Sequence, residues 1–461
     1  MSAPAGRGET AMIDAQPSTL DERVTGLSAS SAVLLAAVAA GVLAQGGFYL
    51  GGRLVVCGLV AVAVVIAATT GSRIDRQLVP LAAAAAGLAV WTVARGLTAG
   101  GHWPTVLGTV GTLAVFVSAA ALTVRADAGE RETLVRWLTG VGALVAVTGW
   151  IGAAFRVPIW AVAVEGRLWR ASSTLTYPNA AAAVLGGLAL LALASLAARP
   201  ASTPRALTAF VLVTGLGATQ SRAGLIAFAA GLAVLCGLLR RFFAGPLLGA
   251  AVAVGALLPT TAVDAEPRPW VAAAGLVVGA LIALVRHRGA LVAVLAALVT
   301  VTALAHAHWS AVVANRGTLA SWGRSHATSA ALDLVAAHPW VGTGPGLARF
   351  VWLDDAGDAV IARFVHNEYL QLTVELGLVG TALLGVLIAA AGAIVLRARG
   401  GSSLTWAGST AALVGFAVHS AFDFLWQPAA LPLLAGLLIG LAGQTVRSEE
   451  VAPSITGEEE E

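Results

Sequence analysis

Apolar stretches recur along this chain from about residue 29 to residue 446, separated by short polar steps. A spanning helix needs roughly 20 apolar residues. By that measure the pattern predicts about fourteen spans. They lie near 29–45, 54–71, 78–97, 105–124, 132–153, 179–198, 206–220, 223–240, 243–262, 269–286, 289–309, 376–396, 404–421 and 429–446. Only a short polar step separates the spans near 206–220 and 223–240. Backbone groups in lipid must be satisfied internally, so these are expected to be helices. Their Ala, Gly and Val content permits close helix packing. The first run follows about 28 polar residues and has no small-residue cleavage site, so it reads as a retained helix.

Composition agrees with this reading. The chain is 58% hydrophobic and 11% charged, with mean hydropathy +0.85. A soluble domain is about 25% charged, so the class is an all-α polytopic membrane protein. The chain contains Arg but no Lys. Arg73 and Arg76, Arg125, Arg131 and Arg136, Arg199 and Arg205, Arg240 and Arg241, Arg286 and Arg288, and Arg397 and Arg399 fall on alternate loops. The positive-inside rule makes those loops cytoplasmic. Both termini are then cytoplasmic, and the loops 154–178 and 310–375 face outside. Five segments follow: a cytoplasmic tail 1–28, a membrane part 29–309, an extracytoplasmic catalytic loop 310–375, a membrane part 376–446 and an acidic cytoplasmic tail 447–461. Cys57 and Cys236 fall inside spans and read as small buried hydrophobes.

The polar interruptions carry the chemistry. The loop 310–375 is too long for a plain connector. Its first half, from about Leu319 to Ala337, has helical apolar spacing and suits a helix lying on the membrane. His338-Pro339-Trp340 ends that helix. Gly342-Thr343-Gly344-Pro345-Gly346 has no βαβ context and reads as a tight turn, not a dinucleotide fingerprint. Arg316, Arg324, Arg349 and Arg363 sit on this outer loop against the positive-inside trend. An anionic lipid-linked substrate would want that charge; simple snorkelling to lipid phosphates is the bland alternative. Arg170 lies on the other outer loop, and Arg222 stands at a helix–helix turn between apolar residues. Charge near the membrane plane is costly, and the planar Arg fork binds phosphate bidentately. Two forks from different loops suit a pyrophosphate. Asp354, Asp355 and Asp358 have no second ligand cluster and read as a solvated loop. No metal, cofactor or nucleic-acid partner is expected. Finally, His366 to Gly380 (HNEYLQLTVELGLVG) brings a His, an Asn and two Glu to the edge of an apolar run.

In these residues the chain resembles the bacterial O-antigen ligase and O-antigen polymerase family. The resemblance covers most of the chain after about residue 160. Arg170 to Asn179 (RASSTLTYPN) is similar to the family's Arg-x-x-Gly-x-x-x-x-Pro-Asn, with Ser173 where Gly is usual. Thr219 to Gly224 (TQSRAG) resembles its Ser-Arg-Gly step, with Ala223 where Gly is common. Arg324 to Gly346 resembles its Arg-led helix, His-Pro and Gly-x-Gly-Pro-Gly run. His366 to Gly380 resembles its His-Asn…Glu-x-Gly-x-x-Gly signature. His419 to Pro428 (HSAFDFLWQP) is a weaker match to a His-Ser…Asp-Phe…Pro step.

The resemblance implies a GT-C-like membrane glycosyltransferase with a large extracytoplasmic loop. It would move a glycan from an undecaprenyl-pyrophosphate carrier to a hydroxyl of a glycan, lipid or protein acceptor. The site would be on the outer face of the cytoplasmic (inner) membrane. Transfer would be inverting and metal-independent. Charge stabilisation falls to Arg170 and Arg222, and His366 becomes the base or acceptor-orienting group. Arg324, Arg363, Asn367 and Glu368 are the substrate-binding candidates. Glu368, Glu375 and Asp423 also suit structural roles as partners of Arg or backbone groups. Arg349 lies outside the matched motifs and reads as a bystander. The rival is a transporter or flippase of lipid-linked saccharides. Transporters carry broken helices and polar groups near mid-membrane, whereas most spans here are clean. A non-catalytic envelope scaffold is disfavoured by the His/Arg constellation. Ligase and polymerase are not separated by these motifs.

Overall fold

The computed structural model describes residues 27–71, 75–164, 168–264, 266–287, 322–353, 357–401 and 403–443, with scattered positions between 290 and 298. Its helices are α1 (Ala29–Leu43), α2 (Leu50–Thr69), α3 (Val79–Thr98), α4 (Trp103–Thr123), α5 (Ala128–Phe155), α6 (Pro178–Ala198), α7 (Thr203–Ala218), α8 (Arg222–Leu239), α9 (Ala244–Thr261), α10 (Pro269–Ala283), α11 (Trp322–Ala337), α12 (Glu368–Arg397), α13 (Leu404–Ser420) and α14 (Ala430–Ala442). Two antiparallel hairpins interrupt them. In one, β1 (Ala161–Val164) pairs with β2 (Leu168–Ala171); in the other, β3 (Phe350–Leu353) pairs with β4 (Ala359–Ala362).

Every predicted span except 289–309 coincides with one of these helices; that span lies largely outside the described residues. Among the described residues, eight helices are long and apolar enough to cross a membrane. Ala29–Leu43, Pro269–Ala283 and Ala430–Ala442 are apolar but shorter. The protein is a multi-pass membrane protein. The short polar step between α7 and α8 is a true break, closed by Ser221 capping α8. Side-chain caps also start α1, α5, α7, α12 and α13, at Ser28, Asp127, Ser202, Asn367 and Ser403. Pro opens α3, α4, α6, α7 and α10, where its missing N–H costs nothing.

Burial sorts centre from rim. In α6, 72% of the span is buried, against 22% in α2. So α6 runs inside the bundle, against α5, α7, α8 and α13, and α2 faces outward. Small residues let neighbours approach: Gly249 of α9 meets Gly279 of α10 backbone to backbone.

Arginines serve backbone carbonyls at both ends of the bundle; beside the hairpins and turns, Arg156 donates to the Thr260 and Ala262 carbonyls and Arg95 to those of Val341 and Gly342. At one end arginines cap helix carbonyls, a favourable use of cations. Arg131 donates to the carbonyls of Val124, Ala126, Leu441 and Gly443. Arg205 donates to the Ser195 carbonyl at 2.8 Å and pairs with Glu132 at 2.9 Å. Arg286 reaches the Ala201 carbonyl. Ser28 and Gly443 both belong to this end, through Glu130 and Arg131. The other end gathers the described parts of the α5–α6 and α7–α8 connections, residues 322–353 and 357–367, and the α13–α14 turn.

One helix does not run straight. α12 begins at Glu368, inside the stretch expected to be loop, and Gly377 breaks it with φ 69° and ψ −172°. The turn after α11 plugs the break. Thr343 and Gly344 N–H donate to the Val374 and Glu375 carbonyls (2.8 and 3.0 Å). Leu378 and Val379 N–H donate to the Pro339 and Trp340 carbonyls (2.8 and 3.3 Å). Four backbone groups freed by the break are satisfied by protein, as a membrane setting demands. The glycine-rich run is thus a tight turn, as its sequence predicts: Gly342, Gly344 and Gly346 all have positive φ. α11 ends at Ala337, before His338-Pro339, and packs Ala327 and Ala331 on Phe350, Val365 and Val374.

Candidate active site

The α13–α14 turn supplies the centre of a polar network. Asp423 is fully buried there. Its Oδ1 lies 3.0 Å from His366 Nδ1. Its Oδ2 accepts from Tyr177 Oη at 2.6 Å and from Asn179 Nδ2. Asn179 Oδ1 accepts in turn from Arg170 Nη2 at 2.9 Å and Ser221 Oγ at 2.8 Å. Arg170 Nε donates to the Thr219 carbonyl at 2.9 Å. The chain of contacts runs His366–Asp423–Asn179–Arg170 and Ser221. It joins four segments about 40 to 250 positions apart in the sequence.

Local backbone explains why these side chains meet. Ser221 caps α8, donating to Asn179 while its Oγ accepts from Gly224 N–H at 3.1 Å. Pro178 starts α6, placing Tyr177 and Asn179 at its mouth. His366, Ser173, Thr176 and Gln220 all have positive φ, between 49° and 58°. Each costs about 1–2 kcal/mol for a non-glycine residue, and such strain gathers at functional sites. Ser173 stands where the resembled family usually has Gly. Its φ of 54° is what a Gly would accommodate, and Thr148 Oγ1 holds its hydroxyl at 2.7 Å. Ala223 is helical, so it needs no Gly.

The electrostatics follow from the contacts. Burial raises the Asp423 pKa, but the His366 hydrogen bond and charge, with Tyr177 and Asn179, override it and hold the carboxyl at about 2. Asp423 is therefore ionised at neutral pH. Burial, then the Asp423 charge, pushes the Tyr177 phenol well above its ordinary range, so Tyr177 stays a donor. The imidazole of His366 is one-third exposed. With Nδ1 turned to the carboxylate, Nε2 is the nitrogen left for a substrate. Phe424 packs beside it at 5.1 Å and stacks with Phe364 (4.4 Å) and Tyr177 (5.3 Å).

The remaining sequence candidates take different places. Arg222 is half-buried at the first position of α8, and its guanidinium makes no hydrogen bond to a described residue. A cation at a helix N-terminus is unfavourable, which leaves it suited to an incoming anion. Arg324, on α11, donates to the Phe422 carbonyl at 3.3 Å, next to Asp423. Asn367 caps α12, its Oδ1 accepting from Leu370 N–H at 3.1 Å. Glu368 is buried and accepts from Trp426 N–H at 3.1 Å, the backbone partnership its sequence setting allows. Arg363 is exposed and lines a separate recess. Asp354 and Asp355 lie outside the described residues. Sequence reasoning missed the weight of Asp423 and Tyr177. The Asp-Phe step at residues 423–424 and the Tyr-Pro-Asn step at 177–179 were the available signals.

No curated protein matches the chain. Residues 207–385, less than half of it, match the family described as O-antigen ligase. That stretch holds Arg222, Arg324, Arg363, His366, Asn367 and Glu368, while Arg170 and Asp423 lie outside it and reach it through hydrogen bonds. Through this segment, the chain is similar to the O-antigen ligase family.

Proposed function

We propose that this protein transfers a glycan from an undecaprenyl-pyrophosphate carrier to an acceptor hydroxyl on the outer face of the cytoplasmic membrane. The match over residues 207–385 supports O-antigen ligase or polymerase activity in a membrane protein of polysaccharide biosynthesis. The observation that carries the finer reading is the 3.0 Å contact of His366 Nδ1 with the buried, ionised Asp423. That contact orients the ring and stabilises the cation formed when Nε2 takes a proton.

The reaction then runs in one displacement. His366 Nε2 accepts the acceptor hydroxyl's proton as that oxygen attacks the anomeric carbon. The bond from that carbon to the pyrophosphate oxygen breaks, and the electron pair leaves with the carrier. Attack opposite the leaving group inverts the centre. Arg222, with Arg170 and Arg324, meets the negative charge that grows on the pyrophosphate. With the leaving-group charge assigned to these cations, the proposed chemistry runs without a divalent metal, on an architecture of the GT-C type. The loop 310–375 is the catalytic segment, with both termini cytoplasmic.

The test is purified protein in nanodiscs with a synthetic polyprenyl-pyrophosphate glycan and chelator. Transfer with anomeric inversion is expected. Strict dependence on added divalent metal, or no transfer to any glycan or lipid acceptor, overturns this reading. In cells, gene deletion followed by surface-glycan analysis separates the two activities: loss of long chains marks a polymerase, and accumulated carrier-linked chains mark a ligase.

A further inference from the structure

A second basic recess lies beside the His366 loop. It is a cavity of about 280 Å³ among the N-terminal ends of α2 and α4 and the base of the β3–β4 hairpin, and it includes Arg53, Arg349 and Arg363. Ligand pockets usually run from about 300 to 1,000 Å³, so this one suits a single compact group. None of Arg170, Arg222 or Arg324 lines it.

Its three arginines are assembled at a cost. Phe350 and Ala362 form the last pair of the hairpin, and Arg349 and Arg363 flank that pair, bringing two like charges to its open end. Like charges directly opposite one another are destabilising. Arg349 Nη1 donates to the Gly346 and Ala348 carbonyls, whereas the Arg363 guanidinium makes no hydrogen bond to a described residue. Arg53 gives Nη2 to the Gln427 carbonyl at 2.8 Å, but its Nε is buried without a partner. The one carboxylate among the described residues that line the recess, Glu375, already accepts from Gly346 N–H and Gln371 Nε2 (2.9 and 2.7 Å). Three guanidinium groups thus face one committed carboxylate.

The rest of the lining points to the kind of anion. Phe48 and Tyr49 meet edge to face at 5.3 Å, and Phe364 completes an aromatic wall. Thr105 and His102 add a hydroxyl and a ring nitrogen 3.1 Å apart. Aromatic faces suit the C–H face of a sugar ring, and Arg forks suit a carboxylate. A bare lipid phosphate would use the charge but not the rings. We propose that this recess is a subsite for an acidic sugar, a carboxylate-bearing pyranose, of the acceptor glycan. The word acceptor rests on the transfer reading above. The carrier pyrophosphate is assigned to arginines of the α6–α8 side and α11, and Phe364 stacks on Phe424, which touches His366. An acceptor seated in the recess would present its hydroxyl to His366 from the side away from the leaving group.

The experiment reads binding, not transfer. Full-length protein in phosphatidylcholine nanodiscs is titrated with sodium glucuronate, glucose and inorganic phosphate, following the thermal midpoint. Glucuronate is expected to stabilise saturably, with glucose and phosphate at least ten-fold weaker. Arg349→Gln with Arg363→Gln should abolish the shift, and Arg222→Gln should keep it. If the double variant fails to fold, exposed Arg363→Gln alone should weaken glucuronate about ten-fold. No glucuronate shift, an equal response to phosphate, or unchanged binding by the arginine variants overturns the proposal. So does loss of the shift when phosphatidylglycerol replaces phosphatidylcholine, which would assign the recess to lipid headgroups. Glucuronate binding through these arginines in a protein that transfers nothing would sink the proposed function and leave the subsite standing.

Discussion

At the scale of the residue, His366 and Asp423 act as a pair. His366→Ala is expected to abolish transfer while expression and membrane insertion persist, because the side chain is part-exposed on a loop. Normal turnover by a well-expressed His366→Ala protein would remove it from the mechanism. If neutral imidazole takes the proton, activity falls as the solution is acidified from neutral pH. A flat profile there speaks against a base. Asp423→Asn should cost both activity and stability, since Tyr177 and Asn179 already donate to that carboxyl and an amide would add a donor. Each orphaned buried donor costs about 1–3 kcal/mol. The pH dependence has a definite sign. The Asp423 carboxyl titrates at about 2 in the fold, against an ordinary 3.8. Its contribution, on the order of 2 kcal/mol, is fully present above about pH 4 and lost as pH falls through the folded value. Thermal unfolding in detergent from about pH 6 to 2 checks this, and Asp423→Asn should flatten the acid limb.

The arginines separate at the same scale. Arg170 spreads its guanidinium between Asn179 and the Thr219 carbonyl, so Arg170→Lys keeps charge but cannot hold both. Arg222→Lys loses only the fork offered to substrate. Both should lower turnover, by less than the roughly 10²–10³-fold cost of deleting an oxyanion donor. Full activity of both Lys variants would move the phosphate site elsewhere.

At the scale of the element, the break in α12 decides where the catalytic loop sits. Gly377 holds a backbone conformation that only glycine adopts freely, and a Cβ there would strike the Trp340 carbonyl. Gly377→Ala should therefore unseat the Pro339–Gly344 turn, which is bonded to both sides of the break, and with it His366 and Arg324. Gly385, in the same helix, has nothing within 4 Å of an added Cβ. A lower thermal midpoint for Gly377→Ala but not for Gly385→Ala is the expected result. Equal midpoints would mean the turn does not depend on the break.

At the scale of the whole molecule, the end that carries Arg131, Arg205 and Arg286 lies apart from the site end. A membrane-impermeant maleimide should label Ala359→Cys from outside intact cells, and Ser202→Cys only after permeabilisation. Label at Ser202→Cys in intact cells would invert the topology.

The sequence by itself determined the class, most helix positions and the site's ingredients. Period, length and apolarity act locally, so α1 to α10 and α12 to α14 fall where the hydrophobic runs do. Caps and prolines fixed starts for the same reason. The step from Thr219 to Ser221 separates two helices because Ser221 caps α8. Hydropathy placed the last long boundary at residue 376 because Gln371, Thr373 and Glu375 dilute the first turns of α12. Only the folded backbone reveals that the helix starts earlier and breaks at Gly377. Only the tertiary structure decided that Asp423, ordinary beside Phe424 in the sequence, meets His366 across 57 positions and Tyr177 across 246. It likewise turned Asn367 into a cap and Arg349 into the wall of a recess. Such partnerships depend on which helix mouths converge. That is set by packing among α6, α8, α13 and α14 and leaves no local trace in the chain.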